Sequence, residues 1–338
     1  MPKFGTERKK DLIIKTLIVL LVLSVGFSIY LFFQKKSEKN KSNNSSTSSQ
    51  AMANMASMAG MVNGDPSKRY TVSFTTTPAV VEPNQDVQLK FKIYDAATGN
   101  EVTNYWVVMT KFMHLVIVDS ELQYFDHIHP TQNGSEFTVT TRFPKADVYH
   151  LYINYQPAGA NEQQIGFTLP VGGSTQNAGS TVPVDSNLTN TVNGLRITLS
   201  TADNSAFSAS AMNNMAQLLN FHFVDDKTGQ PVSDLQPYLG AGGHLVMINE
   251  KTYKYLHVHP AVSSTDNPDV IGPDVKFLPM PLFDTIDAGV YRVFAQFSRN
   301  NGCTWRCSDS SKRFRDHFRP SPFRLGLRIP CSFATAVA

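Results

Sequence analysis

Apolar and polar residues alternate along short stretches of the chain, the pattern of a strand with one buried face. Val87–Ile93 is a clear example, and Phe137–Phe143 and Tyr149–Tyr155 continue the pattern. Residues that favour turns separate the stretches, as at Asp95–Gly99. Short strands at this spacing are typical of antiparallel sandwiches, so we predict an all-β fold.

One stretch near the N-terminus has a different pattern. Thr16–Phe33 is an 18-residue run whose only polar members are Thr16, Ser24 and Ser28. As a helix it would measure about 27 Å, close to the thickness of a bilayer's hydrocarbon core. The run continues directly into Gln34-Lys35-Lys36 without a small-x-small cleavage site, so we expect an uncleaved anchor rather than a removed signal peptide. A slight excess of basic residues before the run favours the N-terminus inside the cell.

The remainder of the chain contains a tandem repeat. Residues 94–130 and 224–260 align without a gap at an offset of 130, and ten of the 37 positions are identical. After a 12-residue insertion in the second copy, Val148-Tyr149 matches Val290-Tyr291. About seven short strands in each copy predict two tandem immunoglobulin-like β-sandwich modules behind one N-terminal transmembrane helix.

These patterns divide the chain into six segments. We expect a cytoplasmic stub and anchor at 1–33, a Ser/Asn/Met-rich linker at 34–66, module 1 at 67–171, a second linker at 172–190, module 2 at 191–301 and an aberrant tail at 302–338. The C-terminal modules would then lie outside the cytoplasm on a single-pass membrane protein.

Charge is distributed unevenly. Residues 1–41 and 299–338 are basic, whereas the interval between them carries 13 basic and 22 acidic residues. An acidic body excludes nucleic acid as a partner, because nucleic-acid binding requires a basic face on the folded domain. Cations, in contrast, are attracted to an acidic surface.

Six of the nine histidines occupy matching positions in the two copies, in the pattern H-x12-H-x-H-P. His127 and His129 are two residues apart, so on a strand they point to the same face. A turn near Asp119–Leu122 would fold the chain into a hairpin and bring His114 opposite one of them. We therefore predict one metal site from His114, His127 and His129, and a second from His244, His257 and His259.

Three neutral imidazoles with an open fourth position suit Cu(II) or Zn(II). Methionines recur every three residues from Met52 to Met61, and their soft thioethers would favour copper. An Ala/Met-rich helical linker explains the same spacing. The histidines could instead be held in structural hydrogen bonds. Two hypotheses follow: an extracytoplasmic copper carrier or buffer with one site per module, or a structural, partner-binding envelope protein without metal.

We predict that the chain is not an enzyme. It contains no G-x-S-x-G, H-E-x-x-H or phosphate-loop motif. The glycines at 240–243 lead into a strand rather than a helix, and are expected to allow a tight turn before His244. Asp126 would point away from the histidines, and Leu256 replaces it in the second copy.

The tail differs from the modules. It holds all three cysteines, Cys303, Cys307 and Cys331, and shows no alternating pattern. We hypothesise a shifted reading frame near Asn301, which would remove the closing strand of module 2; resequencing the coding DNA would test it. The alternative takes Cys303 and Cys307 as metal ligands, although a single C-x3-C is a weak signal.

The H-L-V…H-x-H-P core and the following V-Y strand resemble uncharacterised bacterial envelope proteins with duplicated immunoglobulin-like modules. These are similar to secreted proteins linked with copper or heavy-metal handling and, more distantly, to CopC-like copper carriers. The resemblance covers about Tyr70 to Asn301 and implies an envelope-tethered copper carrier. Asp147 departs from the glycine found at the matching position, Gly289.

Overall fold

The predicted all-β fold is confirmed. A computed structural model describes residues 64–175, 184–185, 188–213, 217–260, 271–278, 285–299, 303–306 and 331–337. These residues form nineteen strands and one five-residue helix, α1 (Ala209–Asn213). They all belong to one compact unit, Ser57–Ala338.

The predicted anchor at 1–33 and the methionine-rich linker lie outside the described residues. Within the described ranges, the structure contains no helix with the length and apolar character needed to cross a bilayer.

Module 1 contains nine strands arranged in two sheets. They are β1 (Tyr70–Thr77), β2 (Val87–Asp95), β3 (Tyr105–Trp106), β4 (Met113–Val118), β5 (Phe125–Ile128), β6 (Thr131–Asn133), β7 (Glu136–Thr141), β8 (Asp147–Pro157) and β9 (Gln163–Val171). One sheet has the order β1-β2-β7-β6, and the other has the order β3-β8-β4-β5 with β9 also paired to β8. The inner faces of both sheets contribute to one hydrophobic core, so the arrangement is sandwich-like.

Strand β2 shows why the alternating pattern predicts this architecture. Its apolar residues Val87, Leu89, Phe91 and Ile93 are buried, while the polar residues between them are half-buried. Fully burying a side chain of this size contributes roughly 1.5–3 kcal/mol. Strand β8 differs, because both of its faces are buried along its whole length. Its outer face must therefore be covered by something other than its own module's core.

Module 2 repeats this plan with some changes. Its elements are β10 (Thr189–Val192), β11 (Leu195–Thr201), β12 (Leu219–Asp225), β13 (Leu235–Gln236), β14 (His244–Asn249), β15 (Tyr255–Pro260), β16 (Asp274–Leu278), β17 (Gly289–Arg299), β18 (Cys303–Arg306) and β19 (Cys331–Val337), with α1 between β11 and β12. The strands form one continuous sheet in the order β10-β11-β12-β16-β15-β14-β17-β13, with β18 and β19 also paired to β17.

The tail supplies strands that the sequence did not predict. Strand β19 pairs with β17 from Gly289↔Val337 onwards, just as β9 pairs with β8 from Asp147↔Val171. Strand β18 pairs with the other end of β17. The expected gap at the closing strand is therefore filled in the structure. An exposed strand edge presents unpaired backbone groups, which can pair with another extended segment whatever its side-chain pattern.

The H-x-H-P motif lies where the chain passes from one sheet to the other. In module 1, β5 belongs to the histidine-bearing sheet and β6 to the opposite sheet, with His129 and Pro130 between them. In module 2, β15 pairs first with β14 and then, through His259 and Pro260, with β16. Proline has no N–H to donate, which suits a position where the strand changes partner.

A two-residue turn precedes the first histidine of each module. Val108 and Lys111 exchange backbone hydrogen bonds across Met109 and Thr110, which have φ values of 45° and 67°. The tight turn predicted before His244 also forms, and it has positive φ at Leu239 and at Gly240. Turns with positive φ at both central residues favour glycine or asparagine, and a β-branched residue is strained there.

Replacing Thr110 by glycine is therefore expected to stabilise the protein by about 1 kcal/mol, because the strain released exceeds the entropy cost of glycine. Urea denaturation measures the change. The reverse substitution at the matching position, Gly240→Thr, is expected to be destabilising. A destabilised Thr110→Gly variant would show that this turn is not strained.

A tyrosine in each module closes a local hydrogen-bond loop. Tyr149 donates its hydroxyl to the Lys145 carbonyl at 3.1 Å, and Tyr291 donates to the Asp287 carbonyl at 2.9 Å. The backbone N–H groups of Lys145 and Asp287 donate back to the same hydroxyls. Both rings are fully buried, so each bond satisfies a phenol inside a core.

The outer face of β8 is covered by module 2. A third hydrophobic cluster contains residues of β4, β5 and β8 together with residues of β14, β15 and β17. Phe125 stacks on Phe294 with ring centroids 4.4 Å apart, and Tyr152 stacks on Tyr255 at 4.5 Å. Phe125 corresponds to Tyr255 and Tyr152 to Phe294 in the repeat, so the two pairs are related by a pseudo-twofold axis. We call this contact the module interface.

Candidate metal centre

The predicted hairpin forms in both modules. Strands β4 and β5 pair with Val116 opposite His127, and β14 and β15 pair with Val246 opposite His257. His114 lies at the start of β4, and both His114 and His127 are buried. The hairpin register therefore places the first histidine of the motif beside the other two.

His114, His127 and His129 converge as predicted from the sequence. Each offers one ring nitrogen, and these nitrogens all lie within 4.8 Å of one another. Their ring centroids are 4.8–5.3 Å apart. The closest approach is 3.1 Å, between His114 Nδ1 and His127 Nε2.

The other nitrogens of this closest pair are engaged elsewhere. His114 Nε2 lies 2.9 Å from the Val108 carbonyl, and His127 Nδ1 lies 2.6 Å from Gln296 Oε1. Both contacts end on an oxygen, so the ring nitrogen donates in each. A neutral imidazole carries only one N–H. If both rings are neutral, the two nitrogens that face each other, His114 Nδ1 and His127 Nε2, therefore each present a lone pair. Two nitrogens bound at 2.0–2.1 Å to one tetrahedral ion would be about 3.3 Å apart, close to the separation found here.

Burial keeps these rings neutral. It is the main reason why the pKa of His114 falls to about 4, and the proximity of His257 contributes to the same lowering. Burial also lowers the pKa of His127 well below its ordinary value and that of His257 to about 4. A proton shared between the facing nitrogens is therefore disfavoured at pH 7. Neutral imidazole is the form that binds a metal ion.

The second set of histidines lies beside the first. The rings of His244 and His257 are 5.8 Å apart, and that of His244 is 5.6 Å from His114 and 5.3 Å from His127. His259 belongs to β15, but its side chain is outside what the structure describes. The sequence predicted a separate site in each module, whereas the module interface brings these five rings together. We call His114, His127, His129, His244 and His257 the histidine cluster.

Sequence reasoning missed the polar residues that surround the cluster. Gln296 on β17 and Asn154 on β8 occupy matching positions, each beside the first histidine of its own module. Gln296 binds His127 of the other module, while Asn154 accepts a hydrogen bond from the Tyr255 hydroxyl at 3.0 Å. The one available signal was that an amide recurs at the same place in both V-Y strands.

One carboxylate also approaches the cluster. Glu162 Oε1 lies 3.9 Å from His257 Nδ1, and Asn154 Nδ2 donates to the same oxygen at 3.3 Å. Glu162 lies between β8 and β9, in a segment that the sequence pattern marks only as a loop. A carboxylate at this position could act as a partial counter-charge if a cation were bound in the cluster.

A second group of possible metal ligands consists of three carboxylates that pair with a lysine instead. Carboxylate oxygens of Asp119, Glu121 and Asp147 lie close together. The Lys145 ammonium lies 3.0, 2.6 and 3.2 Å from them. This group is an internal ion-pair network near the hairpin turn, since the lysine already supplies the positive charge.

Two further histidines are outside the cluster. His222 contacts Asp274 at 2.9 Å on an exposed part of β12. His150 stacks on Tyr253 in the module interface, with centroids 3.9 Å apart. His317, Cys307 and the methionines at 52–61 lie outside the described residues.

Comparison with protein families gives one match. A family model described as "Domain of unknown function (DUF8832)" matches residues 65–173 and again residues 190–306, together more than half of the chain. No curated protein matches the chain.

Solved structures give only weak likenesses. S. aureus TarS matches over 65% of this chain and 36% of its own, at 9% identity and a TM-score of 0.18. Domains 4–9 of the surface layer protein SbsC match over 81% of this chain and 31% of their own, at 16% identity and a TM-score of 0.19. A structure of carbohydrate-binding modules from the β-sandwich superfamily matches over 70% of this chain and 98% of its own, at 12% identity and a TM-score of 0.20. The chain spans about a third of the first two proteins, and none of these TM-scores bears on function.

Proposed function

The chain belongs to the DUF8832 family, and we propose that it is a metal-binding carrier or buffer of the cell envelope whose ion is copper. The observation that carries this proposal is the convergence of three ring nitrogens, from His114, His127 and His129, within 4.8 Å of one another. His114 and His127 are buried and His129 is half-buried, and one nitrogen of His114 faces one of His127 at 3.1 Å.

The ligand set supports copper over harder cations. Imidazole nitrogens suit copper and zinc, whereas calcium and magnesium require oxygen ligands. The methionine-rich stretch at 52–61 and the resemblance to copper-handling envelope proteins favour copper over zinc. The hydrogen bonds to the Val108 carbonyl and the Gln296 amide would fix the orientation of the His114 and His127 rings, as such partners do in metal sites.

The envelope location and the finer fold are part of the same proposal. The apolar run Thr16–Phe33 would anchor the chain, with both modules outside the cytoplasm. An immunoglobulin-like description of the modules is supported by the hydrogen bonds of Tyr149 and Tyr291, because a tyrosine bonded to backbone just upstream is a hallmark of that fold.

Isothermal titration of the purified full chain with Cu(II), Cu(I) and Zn(II) tests the function. We expect tight binding of copper, and at least a 100-fold loss of affinity when His127 and His129 are both replaced by alanine. The matched control is His222→Ala, which removes an imidazole outside the cluster. Absence of binding by the unaltered chain, or unchanged affinity in the double variant, would refute the proposal.

One observation favours a structural role instead. If the Gln296 amide is flipped, its Nε2 donates to His127 Nδ1. The proton of the neutral His127 ring then lies on Nε2, which donates a hydrogen bond to His114 Nδ1 across 3.1 Å. The pair would then be satisfied by hydrogen bonds alone, and the modules would be spacers or partner-binding units. This alternative predicts that the His127/His129 double variant loses stability while the unaltered chain binds no ion.

A further inference from the structure

We infer that the two modules share a single cation, which His244 and His257 of module 2 help to bind across the module interface. This inference rests on the proposed function and specifies it further. It replaces two independent sites, one per module, with one site whose ligand set is complete only when the modules are docked.

Ring separations support a common ion. For two imidazoles bound to the same tetrahedral metal at 2.0–2.1 Å, ring centroids would be about 5 Å apart. His114, His127 and His244 form a triangle with sides of 5.3, 5.6 and 5.3 Å. Two of these rings come from module 1 and one from module 2. The His244 ring lies 5.6 and 5.3 Å from the rings of the facing pair, compared with 4.9 and 4.8 Å for His129.

Electrostatics disfavours a second ion. The carboxylate found beside the rings of the cluster in the described part of the chain is Glu162. His114 and His257 are only 6.0 Å apart, so two ions held by the two sets would lie within a few ångströms of each other in a buried, weakly screened site. Coulomb repulsion there would weaken the second ion by about 100-fold or more.

Module docking also positions a ligand of module 1. His127 donates from Nδ1 to Gln296, which belongs to strand β17 of module 2. That bond leaves His127 Nε2 directed at His114. Gln296 is thus a positioning residue, through which module 2 controls the orientation of an imidazole that it does not carry.

The experiment titrates the full chain with Cu(I) and Cu(II) and measures both stoichiometry and affinity. We expect one tightly bound ion per chain. Replacing His244 and His257 together by alanine should lower the affinity for that ion at least 10-fold. His222→Ala, also in module 2, is the matched control and should have no effect. Circular dichroism confirms that each variant is folded.

A second variant protects the test against misfolding. Gln296→Glu keeps an acceptor for His127 Nδ1 and adds a negative charge. A carboxylate that accepts a hydrogen bond from the other nitrogen of a metal-bound imidazole raises the basicity of that imidazole as a ligand. We expect its affinity for the first ion to rise by about 10-fold, a gain that unfolding could not produce.

The outcomes separate the two proposals. Two ions of similar affinity would overturn the shared site but leave the proposed function intact. One ion whose affinity is unchanged in both module 2 variants would place the site in module 1 alone, and also overturn the inference. If no ion binds, the proposed function fails and the shared site fails with it.

Discussion

At pH 5 the metal-free protein is expected to be less stable than at pH 7 by on the order of 4 kcal/mol, as judged by linkage between protonation and folding. His114 and His257 have a pKa of about 4 in the folded protein, because burial disfavours their charged forms. In the unfolded chain each would titrate near 6.5. Between these values the unfolded state binds more protons, so acid favours unfolding.

The sign and the window of this effect follow from the lowered pKa. Above about pH 7.5 these rings are neutral in both states, so stability does not depend on them. As pH falls from 6.5 towards 4, stability decreases steadily, by about 2 kcal/mol per ring at pH 5. Urea denaturation in a chelator at pH 7, 6 and 5 measures it. The window lies above the ordinary range of most carboxylates, which limits their contribution.

A double variant provides the control for the acid effect. Replacing His114 and His257 by asparagine removes two of the buried titrating rings while keeping polar side chains in their places. The loss of unfolding free energy between pH 7 and pH 5 should be smaller in this variant by about 2 kcal/mol for each ring removed, and the remaining pH dependence includes that of His127, whose pKa burial also lowers. If the variant keeps the full pH dependence of the unaltered chain, the buried rings are not its source.

Phe294→Ala is expected to destabilise the protein by about 3–5 kcal/mol, the usual cost of deleting a buried phenylalanine ring. Phe294 is 2% exposed and stacks on Phe125 at the module interface. Its loss would leave a cavity between the modules rather than inside one of them. Docking of the modules, and with it metal affinity, should therefore decrease together with stability.

The matched control for this variant is Phe112→Ala. Phe112 is 41% exposed, so truncation of the same side chain is expected to change stability by no more than about 0.5 kcal/mol. Urea denaturation measures both variants, and copper titration reports on the site. A loss below about 1 kcal/mol for Phe294→Ala would mean that the two modules are not packed against each other at this ring.

Much of the local structure could be predicted from the sequence. The alternation at 87–93 identified β2 and its buried face, and Asp95–Gly99 forms the turn expected of it. The hairpin that carries His114 and His127 also follows from the spacing of its strands and turn. Such features depend on residues that are near one another in the chain, so their pattern is visible in the sequence.

Other features could not be read in this way. The apolar run at Tyr149–Tyr155 looked like a strand with one buried face, but β8 is buried on both. A strand that is buried on both faces must be covered twice, yet its sequence does not say by what. The strands of the tail gave no signal at all, because they pair through backbone groups.

The sequence by itself determined that the chain is all-β, that it is duplicated, and that each copy carries histidines on one hairpin. Tertiary structure alone decided that the two hairpins meet, that Gln296 of one module holds His127 of the other, and that burial lowers the pKa of the rings. The reason is physical: periodicity records which face of a strand is buried, whereas the docking of two buried faces depends on their shapes and on residues more than a hundred positions apart.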